Sequence, residues 1–185
     1  MMHPPMQPVL EDDVVRLRPM TEADREPLFA VASDPQIWAI HPAHDRWQRA
    51  VFDPFFDEGL KSNGGLVVVD KESDIVIGSS RYDNRPYAVL DGEVEIGWTY
   101  VERARWGGKY NYSIKRLMLA FAFERGFDAA IFLVGVTNLR SRRAMEKIGG
   151  VLTDRKHFAE MAGRDIVHVI YRIGRDDFAL GPLFQ

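Results

Sequence analysis

The stretch Trp106-Gly107-Gly108-Lys109-Tyr110-Asn111 decides the fold, because it joins an alternating segment to a helical one through two adjacent glycines. Upstream, Glu93 to Val101 alternates polar and apolar residues, the period of a strand. Downstream, Ile114, Leu117, Met118, Phe121 and Ala122 fall on one helical stripe that Gly126 ends. A turn without Cβ atoms lets a ligand approach the backbone, and the first N–H groups of the helix have no intrahelical acceptors. With the positive end of the helix dipole behind them, such groups form a seat for an anion, phosphate above all.

Working outward, Leu66 to Asp70 and Asp74 to Tyr82 are β-branched runs joined by Lys71-Glu72-Ser73, which predicts an antiparallel hairpin. Val14 to Arg18 reads as a strand, and Thr21 caps a helix running to about Ser33. Pro27 implies that this helix is tilted at its first turn or begins later. Asp34 to His44 reads as a loop, and Trp47 to Ser62 as a helix broken by Pro54. Ala130 to Val136 is a central strand, Asn138 caps a short helix that Gly149-Gly150 stops, and Val151–Glu160 with Asp165–Ile173 form a closing hairpin. The order predicts an α/β fold: one mixed, mostly antiparallel sheet with helices on both faces. A single domain over residues 1–185 is expected, with 1–12 a loose tail. In the strand from Glu93, the residues Glu93, Glu95, Gly97 and Thr99 are expected on one face, and Val94, Ile96, Trp98 and Tyr100 on the other.

At 185 residues, 46% hydrophobic and 28% charged, the chain has enough apolar material for a sizeable core. It has no cysteine, so disulfides, thiolate metal sites and thiol nucleophiles are excluded, and a reducing, cytoplasmic compartment is expected. No metal site is read. Neither a signal peptide nor a membrane span is read from the apolar runs. The net charge is -3, yet Arg103, Arg105, Lys109, Lys115 and Arg116 form an acid-free basic run, and Arg140, Arg142, Arg143 and Lys147 form a second. An acidic chain with two local basic clusters fits a small polyanion better than nucleic acid. Solvated helix faces explain the same clusters equally well.

The element order, the Trp106 to Asn111 turn and the helix Asn138-x-x-Ser141 to Glu146-Lys147-Ile148-Gly149 together resemble the GNAT superfamily of acyl-CoA-dependent N-acetyltransferases. The likeness covers about Val14 to Ile173 and is greatest to the branch that includes ribosomal-protein N-terminal acetyltransferases. The resemblance implies acetyl-CoA as cosubstrate, its pyrophosphate held by Gly107, Gly108, Lys109, Tyr110 and Asn111. It implies that Trp98, Thr99, Tyr100 and Val101 run beside the pantetheine arm, that a slot opens between this strand and the next, and that Asn138 and Ser141 hold the arm from the other side. Asn138 serves equally as a plain helix cap. The glycine turn departs from the family's spacing, with Lys109 at the second small position and Ala104 at the leading Gln/Arg position.

The chemistry so implied is direct attack of a neutral amine on the thioester, with a strand N–H near Tyr100 facing the developing oxyanion. Glu95 is the candidate general base, with Glu93 in reserve. Where many members carry a tyrosine that protonates the thiolate, this chain has Met145, read here as core packing, so the proton comes from water, Ser141 or elsewhere, or a free thiolate leaves. Trp38, His41, His44 and Trp47 fall where the family builds its acceptor wall, and Tyr82, Asp83 and Tyr87 are further lining candidates, read here as loop packing. The acceptor is a small-molecule or peptide amine, with no nucleic-acid or membrane partner, and a homodimer is left open. Two rivals stand beside this reading: a non-catalytic acyl-CoA sensor or scaffold, and a nucleotide-phosphate binder, which lacks the Gly-Lys-Ser/Thr ending of a phosphate-loop enzyme.

Overall fold

The structure, a computed structural model, describes residues 6–83 and 88–184. Its strands are β1 (Leu10–Glu11), β2 (Val15–Pro19), β3 (Gly65–Asp70), β4 (Val76–Asp83), β5 (Glu93–Val101), β6 (Ala129–Gly135), β7 (Val151–Met161) and β8 (Arg164–Gly174). Its helices are α1 (Arg25–Ala32), α2 (Pro35–Trp38), α3 (Arg49–Lys61), α4 (Lys109–Glu124), α5 (Leu139–Lys147) and α6 (Arg175–Leu180). One sheet carries all these strands in the order β1-β2-β3-β4-β5-β6-β8-β7. The β5–β6 pair is parallel and every other pair antiparallel, so the predicted mixed sheet is the one observed.

The alternating strands feed two cores. Leu66, Val68, Ile77, Val94, Ile96, Ala130 and Phe132 face α4, whose Ile114, Met118, Leu119 and Ala122 close over them. On the opposite face Val67, Val69 and Tyr100 pack against Leu28 and Ala32 of α1, Ile37 and Trp38 of α2, and Phe52 and Phe56 of α3. Truncating one of the larger of these buried side chains, such as Leu66, Ile114, Met118 or Phe52, to alanine costs about 2–5 kcal/mol. Among the described residues no helix is long and apolar enough to cross a membrane.

Local chemistry settles the helix boundaries. Thr21 N–H donates to Asp24 Oδ2 at 2.8 Å, and Arg18 grips the same carboxylate at 2.9 and 2.7 Å. Burial opposes ionisation of Asp24, but the Arg18 and Thr21 contacts outweigh it and hold the carboxyl below its ordinary range. A 3₁₀ turn at Glu22–Asp24 precedes α1, which therefore starts at Arg25 and puts Pro27 in the first turn, where its missing N–H costs nothing. Pro54 sits inside a continuous α3, whose apolar stripe outweighs one lost hydrogen bond.

Three expectations are corrected. The described part of the tail is ordered: Met6 is buried, its N–H reaches Asn63 O at 2.9 Å, and Leu10–Glu11 adds a strand beside β2. Asp34 to His44 is not all loop, since Asp34 caps the single turn α2 by accepting from Gln36 N–H. In β5 the simple alternation fails. The four residues of β5 from Gly97 to Tyr100 stand opposite the three of β4 from Arg81 to Ser79, a bulge in which Trp98 takes a left-handed φ of 53°. The extra residue turns Tyr100 into the α1–α3 core and puts Val101 with Val94 and Ile96 on the α4 side.

Candidate active site

The bulge comes where β5 leaves β6. Their pairing consists of Glu93–Ala129, Val94–Ala130 and Glu95–Ile131 and goes no further, although β5 continues to Val101 and β6 to Gly135. From Ile96 and Phe132 onward the two strands present open edges to each other, while β6 remains paired to β8 on its other side as far as Gly135–His168. An open seam in a sheet leaves backbone N–H and C=O groups for an extended ligand to use. Trp98, Thr99, Tyr100 and Val101 all lie on its β5 bank.

Beyond the seam a 3₁₀ turn at Arg103–Arg105 leads into the glycine pair and α4. Gly107 has a φ of 76°, which favours glycine, and a Cβ built on Gly107 or Gly108 meets nothing within 4 Å. No side chain caps the helix at Gly108. The cradle is thus bare backbone at a helix N-terminus, which fits a diphosphate group. Gly108, Lys109 and Asn111 stand at this mouth. Tyr110 does not: its hydroxyl donates to Asp70 Oδ1 at 3.0 Å and accepts from Arg105, so only its main chain is available to a ligand.

The basic run is less of a field than its sequence suggests. Arg105 pairs with Asp70 at 3.0 Å, Arg103 with Asp34 at 2.8 Å and Arg116 with Asp12 at 2.5 Å. Burial disfavours the Asp70 charge, yet the hydrogen bonds of Ser73 and Tyr110 and the charge of Arg105 keep its carboxyl below the ordinary range. Lys115 points inward, its Nζ on Thr99 Oγ1 at 2.7 Å and 5.7 Å from the Phe132 ring centre, one partner on each bank of the seam. Thr99 Oγ1 in turn lies 2.8 Å from Ser80 Oγ. Burial pushes the Lys115 ammonium down to about 7. Of the basic run, Lys109 and the backbone amides remain facing the mouth, with Arg140 stacked 4.0 Å from the centre of Trp106 and bonded to Ile37 O.

Across the seam, buried Asn138 accepts from Ser141 N–H at 3.2 Å, so its carbonyl end is the cap of α5. Ser141, half-buried, stands on that first turn. Met145 is buried in the core facing α4, and Gly150 packs against it.

The two β5 carboxylates have different fates. Glu93 is clasped by Arg155 at 3.0 Å and by Arg172 at 3.4 Å, and accepts from Leu90 N–H. That removes the reserve base. Glu95, 2% exposed, stands on the last rung before the seam, and a Cβ on Gly97 would lie 3.4 Å from its Oε1. Its carboxylate therefore leans over the start of the bulge.

The opposite face is walled by residues 37–46. Pro42 lies so close to Gly135 that a Cβ there would come within 2.5 Å of its Cγ, which places this segment over the end of β6. His41 Nδ1 accepts from Ala43 N–H at 2.9 Å, and burial, with the charges of Arg46, His168 and Arg140, pushes the imidazole down to about 3. A ring so held is neutral at physiological pH and is a weak base. Trp47 is exposed and Tyr82 is committed to Met118 O at 2.7 Å; Asp83 pairs with Arg81 at 3.4 Å, and Tyr87 lies outside the described residues. Sequence reasoning missed Arg46 and Lys115 as site residues, since no local pattern marks a charged side chain that turns inward. An open cleft of about 470 Å³ is lined by Pro27, Ile37, Ile75 and Arg103 among others, and none of Glu95, Gly107, Gly108, Asn138 and Ser141 lines it.

A bare anion cradle, a parted strand pair and a capped junction across from it suit a protein that holds an elongated phosphorylated molecule through its sheet. Comparison with known proteins agrees. A family model described as an acetyltransferase (GNAT) domain matches residues 15–151. Among solved structures, a GCN5-related N-acetyltransferase from Brucella melitensis superposes with a TM-score of 0.79 at 23% identity, covering 94% of this chain and 81% of that one. The RimJ protein of Mycobacterium smegmatis, in complex with CoA-disulfide, gives 0.73 at 17% identity over 99% and 95% of the two chains. A spermidine N-acetyltransferase from Vibrio cholerae with CoA and spermine gives 0.67 at 14% identity over 90% and 99%. The chain belongs to the GNAT acetyltransferase family. It is an enzyme that draws its acetyl group from acetyl-CoA, which sets aside the sensor and nucleotide-binder alternatives.

Proposed function

We propose that this protein is a cytoplasmic N-acetyltransferase acting on a primary amine, of a small molecule or a peptide N-terminus, by direct attack in a ternary complex. Acetyl-CoA supplies the activated acetyl thioester; Gly107, Gly108, Lys109 and Asn111 would hold its diphosphate, and the open edges of β5 and β6 its arm. The observation that carries the reading is the Glu95 carboxylate at the head of the seam, buried and leaning over Gly97. An amine entering from the α1–α3 face meets this group, which takes the proton that the incoming ammonium must lose. The β5 backbone on the edge facing the seam would direct N–H groups at the charge that develops on the acyl oxygen. As the C–S bond breaks, Ser141, on the first turn of α5, relays to the departing sulfur the second proton that the attacking nitrogen loses. Every group named lies in one chain, so monomer and homodimer serve this chemistry alike.

The test is thiol release from acetyl-CoA over a panel of amines and amino-terminal peptides, with Glu95→Gln as the variant. The substitution is expected to lower kcat by about 100-fold or more while acetyl-CoA binding, read by calorimetry, is kept. A Glu95→Gln protein that turns over at the parent rate removes Glu95 from the mechanism.

A further inference from the structure

Arg46 is a buried cation without an ion-pair partner among the described residues. Its side chain belongs to a residue 7% exposed, its Nε has no hydrogen-bond partner, and no carboxylate lies within ion-pair distance among the described residues. The guanidinium lies instead on aromatic faces, 3.9 Å from the centre of Phe55 and 5.2 Å from that of Trp38. Its electrostatic neighbours include Arg81, and His41 feels both Arg46 and Arg140, while the acids that reach it, Glu58 and Asp45, act only at a distance. Burying an arginine without an anion is costly, and folded proteins seldom leave one so. Aromatic faces recover only part of that cost.

The location is specific. Trp38 packs 5.2 Å and Phe55 6.0 Å from Tyr100, the residue that the β5 bulge turns to this face. Pro42, four residues away, lies over Gly135 at the end of β6. Arg46 therefore stands beside the seam on the face opposite α4, and Glu95 shares that face, since Val94 and Ile96 on either side of it point into the α4 core. An acid and an unpaired guanidinium on one side of the same opening match the two ends of one small molecule.

Resting on the acetyltransferase reading above, we propose that the acceptor is an amine bearing a carboxylate, whose anionic end pairs with Arg46 while its amino group is delivered to the seam beside Glu95. The planar fork of the guanidinium suits a carboxylate, and a carboxylate supplies the charge that the pocket lacks. A polyamine brings a second ammonium against Arg46 and is disfavoured by the same electrostatics.

The experiment compares thiol release for the twenty free amino acids with their α-carboxamides, and for phosphoethanolamine with ethanolamine, in parent protein and in Arg46→Met and Arg46→Lys variants. The parent is expected to favour at least one free acid over its amide by about 100-fold in kcat/KM. Arg46→Met, which removes a buried charge and keeps an apolar stem, is expected to bring that ratio near one with acetyl-CoA affinity unchanged; Arg46→Lys retains part of the preference. Equal rates for acid and amide in the parent, an unchanged ratio in Arg46→Met, or a preference for phosphoethanolamine over every carboxylate overturns the proposal. A turnover-free arm titrates N-acetyl amino acids and N-acetyl amino amides against CoA-loaded protein and reads the melting temperature. A shift with the acids alone, lost in Arg46→Met, supports the carboxylate site at Arg46 even if no amine in the panel is acetylated, in which case the amine-acceptor reading falls and the carboxylate site alone stands.

Discussion

Lys115 carries a charge where a helix normally presents an apolar stem, and its cost has a definite pH signature. Burial holds the folded ammonium at about 7 against an ordinary 10.5. Between those values the unfolded chain binds the proton and the folded one does not, so stability rises with pH. The penalty is complete below about pH 7 and gone above 10.5, an upper bound of about 5 kcal/mol. Lys115→Met is therefore expected to stabilise the protein near neutrality and to flatten the rise of unfolding free energy between pH 7 and 10. Urea unfolding across that range checks it; an unchanged slope means that the ammonium is solvated in the folded state. A cation kept at such a cost between Thr99 and Phe132 stands on the floor of the slot. His41 obeys the same sign in acid, since its folded value of about 3 lies below 6.5 and stability falls as pH drops through that interval.

At the scale of elements, the two glycines before α4 are unlike each other. Gly107 holds a φ of 76°, so Gly107→Ala adds about 1–2 kcal/mol of strain to any effect on binding. Gly108 is extended and opens on free space, so a side chain there is tolerated by the fold. Gly108→Val is expected to leave the melting temperature within about 1 °C and to weaken acetyl-CoA binding about 10- to 100-fold, because its bulk stands where the diphosphate approaches. Undiminished affinity in calorimetry would move the anion seat elsewhere. This turn was legible in sequence because its features are local: a strand period, two glycines, a helical stripe. The limits of β5 were legible for the same reason. The bulge was not, since Gly97-Trp98-Thr99 carries no mark of an extra residue, and it is the pairing with Arg81 and Ser79 that turns Tyr100 over. Nor was the partition of the basic run into ion pairs, which depends on Asp70, Asp34 and Asp12 arriving from other parts of the chain. Arg46 was not legible, because burial of a charge is decided by what packs around it.

Taken whole, the sheet is two blocks, β1–β5 and β6–β8, joined along three residue pairs of β5 and β6 and then parted. α4 spans the join on one face, with Ile114 and Met118 touching the core shared by both blocks, and residues 37–46 span it on the other. A ligand arm lying in the seam would give the open edges of both blocks hydrogen-bond partners and couple them, whereas a diphosphate alone would occupy only the turn before α4. CoA at about 100 times its Kd is expected to stabilise the fold by about 2.7 kcal/mol, and to slow amide exchange in Ile96–Val101 and Phe132–Gly135. ADP, which has the diphosphate without the arm, is expected to protect the amides of Gly107 to Asn111 and to leave the seam exchanging as before. Hydrogen exchange with each ligand in turn decides the matter. Equal protection of both strands by ADP, or no protection of either by CoA, would mean that the parted strands do not receive the arm, and Glu95 would then stand beside an opening that no thioester enters.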